Sequence, residues 1–192
     1  MKNISEKLLL RNGVMNFFYK KKDCTSLSNF WECTIIIIDN DESREYESGE
    51  NSFHGEKFIR IGKICKDQNR KINLLNYGKR FLKSGDFKTG NVAKKMGKKF
   101  ILSKEELELW NILSISVQIE ICKYKFENYE DVRNNLVKSH GKILIHPAMR
   151  CPVDKIKYKL WEGKGIIVDG KIEVIGKNML GNLWMNLRNN IC

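Results

Sequence analysis

The chain has 192 residues, enough to bury a proper core in one domain of ordinary size. Hydrophobic residues make up 42% and prolines number only two, which excludes a disordered chain. Lys and Arg total 35 against 23 Asp and Glu, and the resulting net charge of +12 points to an anionic partner, a phosphorylated metabolite or nucleic acid, without choosing between them.

Residues 1 to 12 read as a charged, weakly helical lead-in, and no Ser/Gly linker, repeat or low-complexity tract divides the remainder of the chain. Met15 to Tyr19 and Thr34 to Ile38 read as short strands; the second is β-branched and bounded by the turn-forming Asp39-Asn40-Asp41. Together they predict a small sheet. From Phe53 onward the pattern is helical, with Phe53, Lys57, Phe58 and Ile61 spaced by three and four, and Glu50 falls near that helix's N-terminus, where its dipole favours a carboxylate. Glu50 and His54 are four apart, and Glu50 and Lys57 seven apart, two turns on one face. Such spacing aims a carboxylate and an ammonium into one cleft.

Residues 110 to 126 alternate like a strand but also carry Trp110, Leu113, Val117, Ile121 and Tyr124 at helical spacing. A helix is preferred, because seventeen residues without a turn signal are long for a strand. Upstream, Ser103-x-x-Glu106 reads as a capping box starting a separate helix. Leu180, Leu183 or Trp184, Leu187 and Ile191 mark an amphipathic closing helix.

Charge is unevenly placed: residues 39 to 57 carry seven acids against Arg44 and Lys57, whereas residues 66 to 99 carry eleven bases against Asp67 and Asp86. Six cysteines (24, 33, 65, 122, 151 and 192) show no C-x-x-C spacing and follow no secretory segment, so reduced thiols in a cytoplasmic compartment are expected. Histidines 54, 140 and 146 lack neighbours at ligand spacing, so no metal is expected. The longest purely apolar run, Ile35 to Ile38, is too short to span a bilayer, and no membrane partner is expected.

Several blocks stand in an order that resembles the NADAR family. They are Ser28-Asn29-Phe30 before a strand, Glu50-x-x-Phe53-x-x-x-Lys57-Phe58, Ala93-Lys94-x-Met96-Gly97, Trp110, Lys125-Phe126, and Asn178-x-Leu180-Gly181 with Met185 and Arg188. The resemblance runs from about residue 15 to the C-terminus, leaving residues 1–14 as a lead-in and 15–192 as the domain. It implies a compact α+β domain, mostly helical around a small β-sheet, that cleaves an N-glycosidic bond at ribose C1 with neither metal nor cofactor. Family members include the riboflavin biosynthesis intermediates N-glycosidase and enzymes that remove ADP-ribose from guanine. Where the family commonly has Glu-His-Tyr-Phe-Gln-Ala-Gln-Lys-Phe, this chain has Glu50-Asn51-Ser52-Phe53-His54-Gly55-Glu56-Lys57-Phe58. In the later Asp-x-x-Trp-Gly block Trp161 is retained, Tyr158 stands at the Asp position and Glu162 precedes Gly163.

Breaking an N-glycosidic bond builds positive charge on the ribose and needs a carboxylate near C1 and a proton for the departing nitrogen. Glu50 is the leading carboxylate, Glu56 the second; Glu50 also reads as a simple helix cap. Lys57 reads as a solvated lysine, a phosphate clamp or a nucleophilic amine that traps the opened ribose as a Schiff base. Phe53 and His54 lie in the same block as pocket candidates. Ser28 and Asn29 suit either a ribose hydroxyl or a turn, and Phe30 a pocket wall or core. Trp161 offers a stacking plane; Gly163 and Gly165 bring backbone N–H groups to a phosphate or simply form a hairpin; Asn178 and Gly181 stand at a helix start that suits an anion. The expected substrate is a phosphorylated ribosyl small molecule or an ADP-ribosylated nucleic acid, with Lys94, Lys95, Lys98 and Lys99 as candidate contacts to the latter. The alternatives are a non-catalytic ADP-ribose or nucleotide-binding module and a plain basic nucleic-acid binder.

Overall fold

The isoleucine run decides the best-defined hairpin. β-branched side chains favour the pleated strand, and burial alternates along it: Ile35 and Ile37 are in the core while Ile38 is exposed. The computed structural model describes residues 4–17 and 24–191. In chain order its elements are α1 (Ile4–Gly13), β1 (Val14–Asn16), a 3-10 turn (Thr25–Leu27), β2 (Glu32–Asp39), β3 (Glu42–Ser48), α2 (Gly49–Ile64), α3 (Gln68–Lys79), α4 (Gly90–Met96), α5 (Lys104–Asn128), α6 (Glu130–Lys138), β4 (Ile143–Ile145), α7 (Val153–Ile156), β5 (Lys164–Val168), β6 (Lys171–Ile175) and α8 (Met179–Arg188). Helices dominate and the strands form three two-stranded ladders, an α+β architecture. They divide between two compact units, Asn29–Asn128 and Met1–Ser28 with Tyr129–Cys192.

In the Asn29–Asn128 unit, β2 and β3 pair antiparallel through a tight turn in which Asn40 takes φ 55°, a left-handed conformation that asparagine tolerates. Tyr46, Phe58, Phe81, Phe87, Val117 and Ile121 build the core with the inward isoleucines. Its aromatic part packs edge on: Phe58 to Tyr77 at 4.8 Å and Phe81 to Phe87 at 4.9 Å between ring centres. The long stretch over 110–126 is helical, as its length argued. The Ser103 capping box does not open a separate helix. Glu106 N–H donates to Ser103 Oγ at 3.2 Å and Ser103 N–H to Glu106 Oε2 at 2.8 Å, closing the N-terminus of α5 itself.

In the other unit, β1 runs parallel to β4, with Val14 opposite Ile143. The strands expected to share one small sheet therefore have different partners, β1 with β4 and β2 with β3. Positions 18 and 19 of the first expected strand lie outside the described residues. β5 and β6 form a hairpin whose two turn residues, Asp169 at φ 47° and Gly170 at φ 73°, are both left-handed, as a two-residue turn matching strand twist requires. Helix α8 buries Trp184, whose indole N–H donates to the Leu27 carbonyl at 2.9 Å. Arg188 donates to Ser139 O at 2.6 Å, Ser139 Oγ at 3.0 Å and Lys142 O at 2.9 Å, satisfying carbonyls beyond the end of α6.

Candidate active site

Helix α2 supplies the groups that can do chemistry. Its start is held twice: Asn51 N–H donates to the N-cap Ser48 Oγ at 3.2 Å, and Glu50 N–H donates to the Asn29 carbonyl at 2.8 Å. The approach to Asn29 is close enough to need Gly49, where a Cβ would lie 2.9 Å from Asn29 Oδ1. Glu50 thus sits in the first turn, 9% exposed, where the aligned backbone dipoles favour negative charge. One turn on, His54 Nε2 lies 3.3 Å from Glu50 Oε1. Nε2 is thus the ring nitrogen that faces the Glu50 carboxyl, and Nδ1 is buried and without a hydrogen-bond partner among the described residues. Gly97 closes over it, and a Cβ at that position would overlap Nδ1.

Lys57, two turns from Glu50, is 8% exposed. Its ammonium donates to the Gly97 carbonyl and lies 4.5 Å from the Phe58 ring centre. Burial pulls its pKa down to about 8. Gly97 therefore touches both His54 and Lys57, joining the two groups through one backbone segment. An amine with that pKa is about one-tenth unprotonated at pH 7, against well under one part in a thousand for an ordinary lysine, and the unprotonated form is the one a nucleophile needs.

Glu56 is placed differently. It is fully buried and its carboxylate is taken up within the protein: Arg44 Nε donates to Oε1 at 2.7 Å, Arg44 Nη2 to Oε2 at 2.9 Å, Tyr46 Oη to Oε1 at 2.6 Å and Arg60 Nε to Oε2 at 2.8 Å. Burial pushes this carboxyl up, and the hydrogen bonds from Arg44, Arg60 and Tyr46 outweigh it, so the group is held below the usual carboxylate range. The second carboxylate named from sequence ties α2 to β3.

Other predicted residues of this unit border the Glu50 turn. The Asn29 amide is paired with Gln118, donating to Oε1 at 2.8 Å and accepting from Nε2 at 3.1 Å. Phe30 packs where Gly90 leaves room, a Cβ there coming within 3.0 Å of its ring and 3.4 Å of Glu50 Cβ, and Lys94 Nζ stands 5.2 Å from its ring centre. Phe53 packs edge-on to Trp110 at 4.9 Å. Sequence reasoning gave no role to Gly97, Gln118, Arg44, Tyr46 or Arg60. Gln118 had a signal, a polar residue beside the apolar stripe of Val117 and Ile121. Lys125 is a second buried amine: fully buried, its pKa lowered by burial, with Nζ 5.4 Å from the Trp31 ring centre.

The remaining candidates lie in the other unit. Ser28 is buried and its N–H donates to Thr25 O at 3.0 Å. Trp161 is half-buried ahead of β5. Asn178, at φ 46°, uses its side chain to extend β4: Oδ1 accepts from His146 N–H at 3.0 Å and Nδ2 donates to Leu144 O at 2.8 Å. Gly163 and Gly181 make room for that side chain, since a Cβ on the former would sit 2.9 Å from Asn178 Cβ and one on the latter 2.5 Å from Asn178 Nδ2. The Gly163 N–H donates to His146 O at 2.8 Å, and Gly165 lies within β5. Among the described residues no cluster of three His, Cys, Asp or Glu can hold a metal, and no helix is long and apolar enough to cross a membrane.

A helix-borne Glu-His pair, a buried lysine two turns from that glutamate and a glycine touching both the histidine and the lysine give this α+β protein a compact cluster of carboxyl, imidazole and amine. The family model described as "NADAR domain" matches residues 17–192, and the chain belongs to the NADAR family. The chain is 38% identical over 63 residues to Protein irg-1 of Caenorhabditis elegans, a segment that covers 33% of this chain and 28% of that protein. It is similar in fold to the NMR structure of the E. coli protein YbiA, with a TM-score of 0.56 and 22% identity, covering 93% of this chain and 84% of that one.

Proposed function

We propose that this protein is an N-glycosidase acting on a phosphorylated ribosyl compound, either a ribosylaminopyrimidine phosphate or an ADP-ribosylated guanine base. The observation that carries this reading is the convergence of Glu50, His54 and Lys57 on one buried face of α2, with the Lys57 pKa lowered to about 8. Family membership supports the reaction class.

In this reading Lys57 Nζ, unprotonated, attacks ribose C1 as the bond from C1 to the base nitrogen breaks. The departing nitrogen takes its proton from the Glu50–His54 pair. The Nζ–C1 adduct loses one proton to the same pair, and as the C1–O4 bond breaks the remaining Nζ proton passes to O4, leaving a Schiff base and a free hydroxyl. Water then adds across the imine, freeing the ribose aldehyde and the amine. Glu50 also stabilises the positive charge that develops at C1. His54, through its Nε2 contact with Glu50, orients that carboxylate. Glu56 serves as scaffold, and Asn178, Gly163 and Gly181 shape the backbone near Trp161.

A non-catalytic nucleotide-binding module is the second reading, favoured by the exposed Tyr158 at the family's Asp position. Glu50→Gln separates the two: it abolishes release of free base in an enzyme, whereas a binder shows no release at all and keeps its affinity.

A further inference from the structure

The unit formed by Met1–Ser28 and Tyr129–Cys192 contains a cavity of about 1070 Å³ that opens between α1, β1, the end of α6 and the segment 147–165. Its wall brings cations and sulfur together. Lys7, Arg11, Lys138, Arg150 and Lys164 reach it; no Asp or Glu does among the described residues, and none of the five cations joins an ion pair among them. The thiols of Cys24 and Cys151 and the thioether of Met15 line the same concavity, and neither cysteine forms a disulfide. The two thiols are placed differently. Cys24 is 2% exposed and its Sγ–H donates to Met15 Sδ at 3.0 Å, which engages its proton inside the protein. Cys151 is half-buried and directly follows Arg150, one of the five cations. Other cysteines have different surroundings: burial pushes the Cys33 thiol up and the Cys122 thiol up to about 12, and Cys65 Sγ–H donates to the Asp67 carbonyl at 3.6 Å. Cys151 thus joins partial exposure to a cation-lined concavity, the setting in which a thiol reacts. In thiol–disulfide exchange negative charge passes along three sulfurs to the departing thiolate. Cations around that line stabilise the charge and gather an anionic partner. The volume suits a small peptide rather than a simple ion.

We infer that Cys151 is a modification site at which a small acidic peptide disulfide, of the class of glutathione disulfide, exchanges to leave one peptide in mixed disulfide inside this cavity, its carboxylates among the five cations. The Cys151 thiol gives its proton to solvent and its Sγ attacks one sulfur of the disulfide. The Sγ–S bond forms as the peptide S–S bond breaks, and the electron pair leaves with the second peptide as its thiolate. Cys151 is oxidised, the departing peptide is reduced, and a small thiol reverses the step. None of the residues assigned to bond cleavage takes part, so the inference stands whether or not the chain is a glycosidase. The test is the rate of Cys151 modification in the full chain, followed by peptide mass mapping, with anionic glutathione disulfide, neutral hydroxyethyl disulfide and cationic cystamine. Each rate is divided by that disulfide's rate with mercaptoethanol, which removes intrinsic reactivity. At low salt the quotient is expected to fall from glutathione disulfide through hydroxyethyl disulfide to cystamine, by about tenfold or more overall, and the three are expected to converge at high salt. The double substitution Arg11→Glu, Lys138→Glu, at exposed positions, is expected to slow glutathione disulfide at Cys151 about tenfold more than it slows hydroxyethyl disulfide. Cys151→Ser is expected to keep the wild-type Tm and lose the adduct. Equal quotients for the three disulfides, equal slowing of both disulfides in the double variant, or adducts confined to Cys65 and Cys192 would overturn the inference.

Discussion

Lys57 is the residue on which chemistry and stability pull in opposite directions. Its pKa falls from 10.5 to about 8 because burial disfavours the ammonium. Below pH 8 both folded and unfolded chains hold this proton and the folded state bears the full desolvation cost; between pH 8 and 10.5 the unfolded chain binds more protons, so this group's contribution to stability improves as pH rises. Lys57→Met is therefore expected to raise stability at pH 7 by on the order of 1–3 kcal/mol while abolishing turnover. Thermal denaturation checks the first half: a lowered Tm would mean that the bond to Gly97 outweighs the burial cost. The same pKa predicts that kcat/KM for the proposed reaction climbs with pH to a plateau above about 8 in the wild-type protein. A profile flat from pH 6 to 9 would count against a lysine nucleophile. Gly97→Ala is expected to fold but lose at least about tenfold in rate, since its methyl displaces His54 and with it the Glu50 carboxylate.

At the scale of elements, Glu56 and Arg188 are the ties. Glu56 fastens α2 to β3 through Arg44, which is 3% exposed, and Glu56→Gln removes the buried one of that guanidinium's three carboxylate partners, leaving it the more exposed Asp39 and Glu42. Breaking a buried pair costs about 3–5 kcal/mol, and urea denaturation would register it; a loss below about 1 kcal/mol would mark the pair as solvent-screened. Its carboxyl is held below the usual range, so this contribution is present above the unfolded pKa of 4.5 and is lost as pH falls through the folded value. Much of this level was legible in the sequence. The isoleucine run, the length of the 110–126 stretch and the Glu50 to Lys57 spacing each report a local preference or a single-helix geometry, and the structure follows them. Strand partners were not legible, because whether β1 joins β2 or β4 depends on pieces far apart in the chain. The role of Glu56 was hidden for the same reason: its partners Arg44 and Tyr46 sit on another element, and the sequence shows a carboxylate without showing what it faces. Gly97 was quoted as part of a pattern, and only the close approach of His54 and Lys57 reveals what the missing side chain permits.

For the whole molecule, the net charge of +12 governs encounter more than chemistry. Base release from an ADP-ribosylated DNA strand is expected to fall steeply with salt, because phosphate contacts release counterions, while release from a ribosylaminopyrimidine phosphate falls only weakly. Equal salt slopes for the two substrates would remove nucleic-acid steering from the account. The most direct test of the central claim is mass-resolved release of free base from both substrates with borohydride present during turnover, comparing wild-type, Glu50→Gln and Lys57→Met proteins. The account predicts release by the wild-type protein from one of them, a reduced sugar adduct mapped to Lys57, and neither signal in either variant. Turnover without an adduct would contradict the covalent route, and release that survives Glu50→Gln would contradict the assignment of the site itself.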